Sequence, residues 1–174
     1  MKLSHLLRGL PGHPLHPPLT DATIGIYTFA TIAGLADVLG ISETSASQGW
    51  WLALLAGLIV TGATALTGLV DWLGITWGSE LWKTATLHMA AMLTATVFFL
   101  IALLAGHDDF HSGNLTAGSL ILTLVGFGLL TLGGWLGGTL VFVHGMRVLS
   151  LVDEPAGRAV SPTPKPEKEA AEGS

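Results

Sequence analysis

The chain has no cysteine. That excludes disulfides, thiolate-ligated iron–sulfur clusters and a thiol nucleophile. Charge is scarce too. Only 11% of the 174 residues are Asp, Glu, Lys or Arg, against ~25% in an ordinary soluble domain. No basic cluster marks a nucleic-acid partner. The opening MKLSHLLRGLPG lacks the long apolar core of a signal peptide. The first apolar run is therefore expected to direct targeting and to remain in the protein.

Apolar residues fill the space that charge vacates. Half the chain is hydrophobic and the mean hydropathy is +0.63. Four apolar segments stand out, over about 22–39, 50–70, 84–105 and 115–143. Each is near the ~20 residues that a helix needs to cross a bilayer. Backbone groups in lipid must be satisfied within the segment, so such runs are helices. The expected fold is all-α, an integral membrane four-helix bundle. Residues 1–21 read as an N-terminal His/Pro loop, 22–152 as the transmembrane domain and 153–174 as a disordered Pro/Glu/Lys tail. No internal repeat stands out.

Basic residues set the orientation. Lys2, Arg8, Lys83, Arg147, Arg158, Lys165 and Lys168 fall on one side, termed side A, with both termini and the link between the second and third helices. The two links on the opposite side, side B, carry Glu43, Asp108 and Asp109 but no Lys or Arg. The positive-inside rule puts side A in the cytoplasm. The chain reads as a multi-pass protein of a bacterial cytoplasmic membrane. Trp50, Trp51, Trp72, Trp77 and Trp82 suit an interfacial aromatic belt, and Asp37 is expected to snorkel toward side B.

The stretch GHPLHPPLTD, residues 12–21, leads into the first helix. His13 and His16 each precede a proline, which biases both to extended backbone. His88 lies about two turns into the third helix and His144 at the side-A end of the fourth. Asp71 closes the second helix, capping it or bridging to Lys83, and Asp21 opens the first as its N-cap. Topology alone thus brings four imidazoles and two carboxylates to one level. Ionisable groups at membrane depth are costly, so they are functional candidates. Imidazole suits iron, copper and zinc, and carboxylates add hard ligands or orient the imidazoles. His13, His16, His88, His144, Asp21 and Asp71 form the candidate metal set. In the fourth helix Gly133, Gly134, Gly137 and Gly138 form two overlapping small-xxx-small pairs. Such a face admits another helix or a flat macrocycle. With His88 and His144 as axial ligands, it would suit a b-type haem.

GHPLHPPLTDATIGIYT, DWLGI, LHMAAML and GGWLGGTLVFVHGMRV together resemble an uncharacterised family of bacterial four-helix membrane proteins, filed as a domain of unknown function. The resemblance covers about Gly12 to Val148. Many members carry histidine where Asp21 stands here. Some members are associated with Rieske-type or other redox proteins, which implies a redox setting.

Two functions of different kind follow. One is a redox or metal-binding protein exchanging electrons with quinone or a redox protein. The other is a non-catalytic subunit or anchor, with the histidines and glycines holding helices together and the tail recruiting a partner. A small proton-relaying transporter, working as a homodimer, is a third. His5, His107 and His111 are expected to be solvated.

Overall fold

The computed structural model describes residues 7–10, 12–149 and 152–160. Its long helices are α1 (His16–Val38), α2 (Glu43–Trp72), α3 (Glu80–Ala105) and α5 (Ala117–Phe142). Two short helices, α4 (His107–Ser112) and α6 (Ala156–Ala159), follow α3 and α5. A two-residue antiparallel ladder joins β1 (Gly9–Leu10) to β2 (His13–Pro14) just before α1. The four long helices are each apolar enough to cross a membrane. No more than 33% of any spanning window is buried inside the protein. The rest of each helix faces outward, with Phe29, Ile32, Ile59, Leu66, Leu104 and Ile121 exposed to lipid. The molecule is an integral membrane four-helix bundle.

Boundaries depart from the hydropathy reading where polar residues can still be helical. α1 starts at His16, not at Ala22, because Pro17 and Pro18 sit in its first turn, where a missing N–H costs nothing. The expected extended backbone holds for His13, which lies in β2, but not for His16. Leu15 rather than Asp21 is the N-cap. Asp21 is exposed on α1. The link 41–49, expected as a turn, mostly joins α2. α3 and α5 open on side-chain caps. Ser79 accepts from Trp82 N at 3.1 Å, and Thr116 accepts from Ser119 N at 3.3 Å. The tail reading falls largely outside the described residues, as does His5; Ala156–Ala159 is helical.

α1 packs along α2, and α3 along α5, far more extensively than either pair packs on the other. The bundle is two hairpins. They are built alike, which the linear reading did not reveal. The first helices match at a constant offset of 72 residues and the second helices at 69. Tyr27 packs on Gly57, and Phe99, 72 residues on, packs on Gly126, 69 residues on. The motif A-x-x-A-G-x-x-D occurs at 30–37 and again at 102–109. Ala30 and Ala102 are both fully buried. Tyr27 and Phe99 stack on each other where the hairpins meet, with ring centres 3.9 Å apart and planes at 9°.

The side-B end is polar and closed. Asp37 does not snorkel outward. It is buried, and its Oδ2 accepts from Leu115 N at 2.7 Å. Its counterpart Asp109 accepts from Thr116 N and Oγ1 at 3.2 and 3.1 Å. Trp50 leaves the expected belt. It is fully buried against Gly34 and Gly106, and its indole donates to Thr123 Oγ1 at 2.9 Å.

Candidate functional site

The two hairpins part on the side-A half of the bundle and leave a cavity of about 290 Å³. It reaches from His16 to Tyr27 along α1, about 16 Å at 1.5 Å per residue. That volume is at the small end of the ~300–1,000 Å³ typical of ligand pockets. His16 and His88 both line it.

Each histidine is seated in the same way. His16 Nδ1 lies 3.0 Å from the Thr64 carbonyl of α2, and its ring lies over Gly68. His88 Nδ1 lies 2.8 Å from the Gly133 carbonyl of α5, and its ring lies against Gly137. A carbonyl can only accept, so Nδ1 carries the proton in both rings. Nε2 of the neutral ring is then a bare acceptor. Neither Nε2 has a hydrogen-bond partner among the described residues. Metal-ligating histidines are oriented in this way, with one ring N–H fixed to a carbonyl and the other nitrogen free. The two ring centres are 6.5 Å apart, with planes at 85°. One ion bound by a nitrogen of each ring at about 2 Å would place the ring centres roughly 6 Å apart.

The rest of the predicted set disperses. His13 and Asp21 are exposed and bond to none of the others. His144 Nε2 is engaged with Thr84 Oγ1 at 3.1 Å, so the expected His88–His144 pair gives way to His16–His88. Asp71 is buried but pairs with Arg147, Nη2 to Oδ1 2.9 Å, and not with Lys83, which takes Glu80 at 2.7 Å. Among the described residues, no three His, Asp or Glu side chains are placed to hold a metal ion. Of the six candidate ligands, His16 and His88 come together as an imidazole pair.

The glycines of α5 receive protein side chains. A Cβ on Gly133 would lie 2.5 Å from Met92 Sδ, and one on Gly137 would lie 3.2 Å from His88 Cε1. Gly134 approaches Ile24 of α1, and Gly138 the neighbouring Phe142, both at 3.9 Å. The slot thus seats His88 rather than a macrocycle directly. Gly68 plays the matching part for His16, and linear reading passed it over. The signal available was positional, since Gly68 and Gly137 lie at the second-helix offset and His16 and His88 at the first.

Paired hairpins with a matched imidazole pair on a cavity define an integral membrane protein with a candidate two-histidine site. The chain matches the family model described as predicted membrane protein (DUF2231) over residues 12–150, and belongs to that family. No curated protein and no solved structure matches it.

Proposed function

We propose that the protein is a membrane electron-transfer subunit that holds a b-type haem between His16 and His88. One observation carries the reading: two imidazoles, one from each hairpin, stand 6.5 Å apart on a cavity with Nδ1 anchored and Nε2 free. The donor set selects among cofactors. A zinc site takes about four protein ligands, and two imidazoles converge here among the described residues. Two suffice where the cofactor brings its own equatorial nitrogens, as a porphyrin does. A bound haem would supply one-electron chemistry. The chain's own residues fix the two imidazoles, and Trp72, Met89, Met92 and Leu140 give the cavity apolar walls. The seven-to-zero bias of basic residues supports a site on the cytoplasmic side of a bacterial membrane, exchanging electrons with quinone or a redox protein.

The test is the absorption spectrum of the full chain, produced with ample haem and purified in detergent. A Soret band is expected, lost in His16→Ala and in His88→Ala and kept in His144→Ala. A colourless protein, or a band that depends on His144 instead of His16, would refute the assignment. The anchor reading draws on Met92 and His88 filling the α5 glycines as ordinary helix packing. It predicts a colourless protein in which His88→Ala only lowers thermal stability.

A further inference from the structure

We propose that Arg8 and Arg147 form a carboxylate-binding rim at the side-A end of the cavity and take the two propionates of the haem. The inference rests on the haem reading and adds the orientation of the ligand, acidic edge toward side A. Arg8 sends Nη2 to the Val70 carbonyl at 3.1 Å. Its guanidinium lies over Gly74, where a Cβ would be 3.2 Å away. Gly74 stands between Trp72 and Ile75, and both of these line the cavity. From the C-terminal side, Met146 lines the cavity and Arg147 follows it. The two segments are tied together, since Arg147 Nη2 also donates to the Arg8 carbonyl at 2.6 Å.

Arg147 is held there at a cost. Its φ is +64°, and among the described residues only Ser42 is another non-glycine with positive φ. Such backbone persists where surrounding contacts impose it, and it clusters at functional positions. The charge balance is also uneven. Arg147 engages one carboxylate, that of buried Asp71, and Arg8 engages none among the described residues. A guanidinium has five N–H donors. Among the described residues the Arg8 side chain makes one hydrogen bond, while that of Arg147 makes one bond and one ion pair. The remaining donors and the surplus positive charge suit carboxylates, which arginine takes bidentately. The cavity below them is apolar apart from its two histidines and a few hydroxyls, so one ligand with a greasy body and an acidic edge satisfies both ends.

The experiment titrates the full-length apo-protein in detergent with haem b and with its dimethyl ester, followed at the Soret band. The wild type is expected to bind the free acid roughly five- to tenfold more tightly, since partly exposed charge-assisted bonds are modest. Added salt should shrink that preference and leave ester binding unchanged. Arg147→Ala strips buried Asp71 of its partner, so it tests folding as much as binding. Arg8 pairs with no carboxylate among the described residues, so Arg8→Gln carries the test: it should reduce the preference to about twofold or less. Equal wild-type affinity for acid and ester, or a preference unchanged in Arg8→Gln, overturns the rim and leaves the haem site standing. No Soret band with either compound overturns the haem reading and the rim with it.

Discussion

At the scale of single residues, the site depends on two hydrogen atoms where side chains would otherwise stand. A methyl at position 68 would lie 2.7 Å from His16 Cε1, and one at 137 would lie 3.2 Å from His88 Cε1. Gly68→Ala must push the His16 ring off its seat, whereas Gly137→Ala asks for a few tenths of an ångström. Overpacking of this kind costs about 1–3 kcal/mol. On the proposed haem reading, Gly68→Ala should abolish cofactor retention and Gly137→Ala should weaken it, as read in the Soret-to-protein absorbance ratio. Both should elute as folded protein. Asp37 offers a second residue-scale contrast. Its Oδ1 is buried without a partner among the described residues, while Oδ2 accepts from Leu115 N. Asp37→Asn removes a buried charge and keeps that acceptor, so the melting temperature should hold or rise. Asp37→Ala orphans the Leu115 amide and should cost about 1–3 kcal/mol. A lower melting temperature for the asparagine variant than for the alanine variant would contradict this account.

At the scale of elements, the spans were legible because lipid leaves the backbone one solution, and hydropathy reports it directly. The four cores of the helices fell where composition placed them. Their ends did not. Hydropathy cannot see that Pro17 and Pro18 are acceptable in a first turn, or that the polar stretch after Ser42 can be helical. Local chemistry was readable at Ser79, followed by Glu80 and an apolar run. Ser79→Ala should destabilise α3 by about 1 kcal/mol, measured by thermal unfolding in detergent. The site was half legible. His16 and His88 were among the candidates because imidazoles are rare at membrane depth. Their pairing was not, since His144 lies at the same level and only the turn of each helix decides which ring faces inward. His144 turns to Thr84, and Asp71 to Arg147. Trp50 misled for a similar reason, since tryptophan suits both an interface and a buried pocket flanked by two glycines.

At the scale of the whole molecule, orientation can be read without altering the fold, because the chain carries no cysteine of its own. Single cysteines placed at Lys83 on side A and at Asn114 on side B should respond oppositely to a membrane-impermeant maleimide in intact cells. Only the Asn114 position is expected to label; labelling at Lys83 alone would invert the topology. The matched hairpins carry a larger consequence. Each enters and leaves the bilayer on side A, and each brings one imidazole to the pair, one inward aromatic ring and one buried aspartate at its side-B end. The order in which the ribosome makes them should therefore be immaterial to the finished bundle. A circular permutant, opened in the link near Gly78 and closed by a flexible splice between the old ends, should assemble with the same ring pair facing the same void. Such a gene would turn the two constant offsets into something that can be cut and rejoined at the bench.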